Sequence, residues 1–304
     1  MRVFVTGATG FVGSAIVSEL IGSGHEVLGL ARSDEAAAML QAAGAAIHRG
    51  SLEDLDSLRR GAAAADGVIH AAFIHNYSDL ASAGVADRLA VEVMGAELAQ
   101  SGRPFVVTSV IGHLTPGQLG TEKTAPDPGS AAKHRVATEE AALAMASQGV
   151  RVSVVRLPLS VHGDGDTGFV PALINLARSK RISAYVGDGA NRWPAVHRLD
   201  AAHLYRFALE TASAGARLHA IGDEGVPVRD IAGVIGRQLG VPVAGIQPEE
   251  ATEHFGWLAH FVSMDIPASS ALTQEQLGWR PLHPALLLDL DQGQYFTTNT
   301  YRNG

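Results

Sequence analysis

Along the first half of the chain, short runs of β-branched and other apolar residues alternate with longer stretches in which alanine and leucine recur at helical spacing. This pattern predicts βαβ units and a parallel sheet. Val3–Thr6, His25–Ala31, Ala46–Arg49, Gly67–Ala71, Phe105–Val110 and Val152–Leu157 read as strands. Val12–Gly22, Asp34–Ala42, Leu55–Ala63, Ala86–Ser101 and Ala131–Ser147 read as helices, and Gly112–Gly129, rich in Gly, Pro, Thr and Asp, reads as a loop. Beyond Pro158 the rhythm breaks into shorter pieces with more Gly, Pro, His and Trp. The expected fold class is α/β: a doubly wound parallel sheet over residues 1–157 with a returning strand near 216–222, and a smaller substrate-binding cap within 158–304, mainly 158–200 and 223–304.

Composition narrows the function classes. A chain of 304 residues, 46% hydrophobic and 18% charged, buries one large core or two unequal ones. No apolar run approaches the roughly 20 residues of a membrane helix. Val3-Phe4-Val5 lies at the N-terminus without a basic leader, so a cytoplasmic location with no membrane contact is expected. The absence of cysteine excludes disulfides, thiolate ligands and cysteine nucleophiles. A net charge of −8 argues against broad nucleic-acid binding and leaves a small molecule as the expected partner. Thirteen histidines are scattered without His-x-x-x-His or His-Glu-x-x-His spacing, so no metal site is expected.

The strongest chemical motif is Thr6-Gly7-Ala8-Thr9-Gly10-Phe11-Val12-Gly13, set between the first strand and first helix. There Gly7 permits a tight turn, Gly10 lets the backbone approach a pyrophosphate, and Gly13 lets helix and strand pack closely, with the phosphates at the helix N-terminus. This is the Rossmann arrangement, and the cofactor expected is a nicotinamide dinucleotide. The second strand ends Leu30-Ala31-Arg32-Ser33, with none of the acidic side chains that hold the ribose hydroxyls of NAD. Arg32 and Ser33 suit a 2′-phosphate instead, so NADP(H) is favoured over NAD(H).

The glycine motif, the strand Val68-Ile69-His70-Ala71-Ala72 and the run Arg156-Leu157-Pro158-Leu159-Ser160-Val161-His162-Gly163 resemble extended short-chain dehydrogenases and epimerases. Val186-Gly187-Asp188-Gly189 and Trp193–Ala202 are similar to that family's late block, so the resemblance spans most of the chain. It implies that Ala71, Ala72, Phe73, Pro158, Leu159 and Ser160 line the nicotinamide, with Thr108 beside them, and that Ser51 and Leu52 lie by the adenine. The family's catalytic set is a serine near the end of the fifth strand and Tyr-x-x-x-Lys on the next helix. Ser109 matches the serine, but the lysine position falls on Arg135 and the tyrosine position on Ala131. Arginine can still hold the ribose or nicotinamide side, whereas alanine transfers no proton. Tyr77 and His113, on loops expected to face the cleft, are the candidate proton donors. Small residues on the Ala131–Ala146 helix suit packing against Ala86–Ser101 and against a second copy, so a homodimer is possible. The reading reached is an NADPH-dependent reductase of a small carbonyl or activated alkene with a non-standard short-chain dehydrogenase site. The alternatives are a sugar-like epimerase, dehydratase or isomerase using bound cofactor, and a non-catalytic NADP-sensing protein.

Overall fold

The structure is a computed structural model that describes residues 1–74, 79–127, 129–130 and 132–296. The first half runs β1 (Arg2–Thr6), α1 (Phe11–Gly22), β2 (Glu26–Ala31), α2 (Asp34–Ala42), β3 (Ala46–Arg49), α3 (Leu55–Ala63), β4 (Gly67–His70), α4 (Leu80–Leu98), β5 (Pro104–Val110), α5 (Lys133–Ala144) and β6 (Arg151–Leu157). The second runs β7 (Ser160–His162), α6 (Phe169–Lys180), β8 (Ser183–Val186), β9 (Arg192–His197), α7 (Arg198–Thr211), β10 (Ala216–His219), β11 (Asp223–Pro227), α8 (Val228–Leu239), β12 (Val243–Ile246), α9 (Ala251–Phe255), α10 (Ala259–Val262), α11 (Ala271–Leu277) and α12 (Leu286–Gln292). Seven strands form one parallel sheet in the order β10-β6-β5-β4-β1-β2-β3. The order reverses beside β1, and in such sheets ligands bind at the carboxyl edge near that reversal.

Alternation along the strands divides the apolar side chains between two layers. Val3, Val5, Ile69, Val106 and Val155 pack with Ile16 and Leu20 of α1 and with Leu204, Tyr205 and Ala208 of α7. Phe4, Val68, Phe105, Val107, Val152 and Val154 pack on the other face with α3, α4 and α5. A third core gathers α6, α8, α9 and α12 around Trp193, Phe255 and Leu286, beside two small sheets, β11-β9-β7 and β12-β8. Asp200, 1% exposed, accepts the backbone N–H groups of Leu282 and His283 and so ties α7 to the C-terminal segment.

Two helices differ from the periodicity. α4 begins at Leu80 rather than Ala86, because Asp79 caps it by accepting from Ser82 N at 3.0 Å. α5 ends at Ala144, where the chain tightens into a 3₁₀ turn over Met145–Gln148 and reverses through left-handed Gly149, φ 77°. Ala131, where the expected helix began, lies outside the described residues. Gly112–Gly129 carries a 3₁₀ turn at its entrance, Ile111–His113, and is otherwise without helix or strand among the described residues, apart from a bridge from Gly120 to Ala268. No helix among the described residues is long and apolar enough to cross a membrane.

Buried hydroxyls join strand to helix across the first layer. Thr108 Oγ1 donates to the His70 carbonyl at 2.8 Å, so at 2.6 Å the Tyr205 hydroxyl must be the donor to Thr108. Burial pushes the Tyr205 phenol well above its ordinary pKa, which keeps that proton in place. Replacing Tyr205 with Phe is expected to lower the unfolding free energy by about 1 kcal/mol, as read by urea denaturation. An unchanged midpoint would show that Thr108 needs no such donor.

Candidate active site

The β1–α1 loop is shaped as a phosphate cradle. Gly7 holds φ +67°, and a Cβ there would meet the backbone of Ala71 and Ala72 at 2.7–2.8 Å. At Gly13 a Cβ would stand 1.9 Å from Gly7 O. Only hydrogen fits at either place, which is how the loop closes on itself and on the end of β4. Gly10 is exposed and caps α1 with no side chain, while Gly10 N–H donates to Gly7 O at 2.9 Å. The amides of Phe11, Val12 and Gly13 begin the helix without partners inside it, and its first turn holds no carboxylate. This donor set fits the diphosphate of a dinucleotide.

Most of the other residues expected at a cofactor lie just beyond the carboxyl ends of β2, β3, β4 and β6. Thr9 is half-buried in the loop; Ser51 and Leu52 are half-buried beyond β3, and Ala71, Ala72 and Phe73 are half-buried beyond β4. Arg32 is exposed, and Ser33 caps α2 by accepting from Ala36 N at 3.1 Å, leaving its own hydroxyl proton free to donate. Pro158 and Ser160 are buried and Leu159 half-buried, and Ser160 Oγ has no hydrogen-bond partner among the described residues.

Beneath the carboxyl edge, on the α4–α5 side, lie two buried ionic networks. In the first, Thr6 Oγ1 meets His70 Nδ1 at 2.8 Å and His70 Nε2 meets Asp87 Oδ1 at 3.0 Å. Because a carboxylate only accepts, His70 Nε2 carries a proton and donates it to Asp87. The other Asp87 oxygen accepts from Arg135 Nη1 at 3.0 Å, and Arg135 Nη2 donates to the Thr108 carbonyl at 2.7 Å. Burial pushes the Asp87 pKa up, but the Arg135 charge and the His70 hydrogen bond outweigh it and hold the carboxyl below its ordinary value. The Arg135 guanidinium, with its carbon 4.3 Å from the centre of the Phe73 ring, thus binds Asp87 and the β5 backbone through its two Nη groups. The resemblance implies a place for it on the ribose or nicotinamide side, and in the structure it also holds the end of β5.

The second network is built on one rung of the sheet, where Ser109, Arg156 and His219 are register partners across β5, β6 and β10. Arg156, fully buried, binds both Glu139 oxygens, with Nε to Oε2 at 3.1 Å, and Arg217 Nε adds a bond at 3.0 Å. Burial raises the Glu139 pKa, yet the Arg156 hydrogen bonds and charge prevail and bring it to about 2. His219 donates from Nδ1 to Ser269 O at 2.8 Å and receives Arg156 Nη1 on Nε2 at 3.3 Å, the pattern of a neutral ring; burial lowers its pKa to about 4.

Ser109, in β5 as its strand predicted, and His113 both belong to this network. Ser109 is 1% exposed, its hydroxyl directed at Glu139 without a well-formed hydrogen bond. His113, expected on a loop facing the cleft, is fully buried in the 3₁₀ turn, 3.5 Å from Glu139. Burial lowers its pKa to about 4, so at neutral pH the ring is uncharged and is not an imidazolium acid. Tyr77 lies outside the described residues. Asp87, Glu139, Arg156 and His219 were not singled out from the sequence as site residues. Arg198 was also missed: it stacks over Phe11 at 4.6 Å, donates to Ser14 Oγ at 2.8 Å and to Asp164 O at 2.7 Å, and so joins the dinucleotide loop to the loop after β7.

A seven-stranded doubly wound sheet with a glycine cradle at its switch point defines a dinucleotide-fold protein of the epimerase and dehydrogenase type. The chain belongs to the NAD dependent epimerase/dehydratase family, whose sequence profile matches residues 3–222. It is similar to an uncharacterised protein of Schizosaccharomyces pombe, at 51% identity over 298 residues, 97% of this chain and 100% of that one. It is 33% identical over 194 residues, 60% of this chain and 57% of the other, to a 4-hydroxy-2-methyl-3-oxo-4-farnesyl-3,4-dihydroquinoline-1-oxide ketoreductase of Stigmatella aurantiaca. Among solved structures, the dTDP-glucose 4,6-dehydratase DesIV of Streptomyces venezuelae, crystallised with NAD, superposes with a TM-score of 0.79 at 20% identity over 98% of both chains, a likeness of fold.

The pKa shifts give a testable pH dependence. His113 and His219 have folded values of about 4 against an ordinary 6.5, so the folded state binds fewer protons than the unfolded one between those values. Their contribution is present above pH 6.5 and is lost as pH falls toward 4; that of Glu139 is lost from 4.5 down to about 2. Thermal melts between pH 7 and 4 are expected to fall steadily, and His113→Leu to flatten part of that fall. An identical pH profile in the variant would place the proton uptake elsewhere.

Proposed function

We propose that the protein is an NADP(H)-dependent reductase of a small carbonyl or activated alkene. The observation that carries this reading is the adenosine end of the site: a diphosphate cradle followed by β2 ending at Ala31, with exposed Arg32 and the Ser33 hydroxyl where a ribose-binding acid would otherwise stand. The 33% identity to a ketoreductase supports the reaction class.

In this reading the amides of Phe11 and Val12 take the diphosphate, Arg32 and Ser33 the 2′-phosphate, and Ser51 and Leu52 flank the adenine. The bound dihydronicotinamide supplies the hydride for the substrate carbon. Ala71, Ala72, Phe73, Thr108, Pro158, Leu159 and Ser160 form the wall that orients it. Arg135 acts as a positioning residue, fixing the end of β5 through the Thr108 carbonyl and the wall through Phe73. Ser109, turned toward Glu139, stands behind that wall. With His113 neutral and buried, Tyr77 is the proton donor of the proposal.

Two measurements test it. Calorimetric titration is expected to show NADPH binding more tightly than NADH, and Arg32→Ala to weaken NADPH about tenfold or more while leaving NADH unchanged, as removal of a charge-assisted contact requires. Equal affinity for both dinucleotides in the wild type would sink the NADP(H) assignment. Tyr77→Phe is expected to depress turnover of a carbonyl substrate by roughly 10²-fold or more, the scale of a lost general acid, with NADPH affinity retained; unaltered turnover would remove Tyr77 from the mechanism.

A further inference from the structure

The edge of the sheet beside the 2′-phosphate position holds a second arginine. Arg49 is the last residue of β3 and the register partner of Ala31, the last residue of β2, and the next residue, Gly50, donates its N–H to Ala31 O at 3.2 Å. The ends of the two strands are thereby fixed side by side. His48, one residue earlier, turns to the α3 layer, where Nε2 meets Ser57 O at 2.8 Å and the ring meets Phe4 edge-on. Alternation sends Arg49 to the opposite face. There its Nη2 donates to Asp34 Oδ1 at 2.6 Å.

Asp34 follows Ser33 directly and opens α2, with its side chain 99% exposed, while that of Arg49 is 54% exposed. A pair so open to water contributes little to stability and exchanges partners readily. A carboxylate one residue from Ser33 would also repel a doubly charged 2′-phosphate unless a cation stood between them.

We propose that Arg49 is a specificity-determining residue for NADP(H), a second guanidinium for the 2′-phosphate alongside Arg32, and that Asp34 holds it in reserve when no phosphate is present. Binding exchanges one anion for another on the same guanidinium. The 2′-phosphate is met by a fork from the end of β3 as well as one from the β2–α2 turn, and the Asp34 charge is released to solvent. This inference rests on the NADP(H) reading of the site, and adenosine fragments test it without any nicotinamide chemistry.

The full chain is titrated calorimetrically with 2′,5′-ADP and with 5′-AMP, as wild type, Arg49→Gln and Asp34→Asn. The expected result is that Arg49→Gln weakens 2′,5′-ADP about tenfold, the scale of one charge-assisted contact, with 5′-AMP unchanged. Asp34→Asn is expected to tighten 2′,5′-ADP a few-fold, again with 5′-AMP unchanged. If the wild type prefers 2′,5′-ADP and Arg49→Gln leaves that preference intact, or weakens both ligands alike, the role given to Arg49 is overturned while the NADP(H) reading stands. If the wild type makes no distinction between the two fragments, the NADP(H) reading itself fails, and this inference with it.

Discussion

Asp87 and Glu139 are carboxylates 1% exposed beneath the carboxyl edge of the sheet, where an unpaired charge would cost several kcal/mol or more. Each is met by a guanidinium from another element: Arg135 of α5 reaches Asp87 of α4, and Arg156 of β6 reaches Glu139 of α5. Helix α5 therefore carries one charge of each sign a single turn apart, and its surroundings carry the complement. If α5 slid by one turn, arginine would face arginine or carboxylate would face carboxylate. Apolar packing holds the helix on the sheet, while the two pairs fix its register along the strands.

That constraint divides the site into two shells with different work. On the α5 side of the sheet, Ser109, His113, Arg156 and His219 are buried together around Glu139, which Arg156 binds directly. The residues proposed to line the cofactor, from the glycine loop through Ala71–Phe73 to Leu159, are of small or apolar character, which suits flat rings and a small uncharged reactant. The family's tyrosine and lysine both belong on the helix that here carries Arg135 and Glu139. Here both charges on that helix are paired within the protein, Arg135 with Asp87 and Glu139 with Arg156.

Much of this architecture was legible in the alternation of apolar residues, which located the six strands of the first half to within two residues. The start of α4 was not, because α-helical periodicity begins weakly among Ala81, Ser82, Ala83 and Gly84, and the decisive signal was the Asp79 cap. The glycine cradle was legible because its steric demands leave no substitute at Gly7 or Gly13. The buried pairing of Ser109 was not anticipated, although the signal was present: Phe105, Val107 and Ser109 share a face, as do Val152, Val154 and Arg156, so a polar residue ending a buried face needed a buried partner. Glu139 was that partner. Pairing between side chains distant in sequence leaves no periodic trace, which is why the two networks appeared only with the fold.

The order of the strands also bears on how the chain reaches its native state. β6 is flanked on its outer side by β10, yet the chain makes β7, α6, β8, β9 and α7 between them. During synthesis the first 157 residues can assemble six strands while the outer edge of β6 still presents a row of unpaired backbone groups, the kind of surface that recruits other chains. That edge is sealed only when Ala216–His219 emerges and pairs in parallel with Ser153–Arg156. The nascent protein must protect one open edge for the whole interval in which its cap is being made, and a product terminated within the cap would be a template for aggregation.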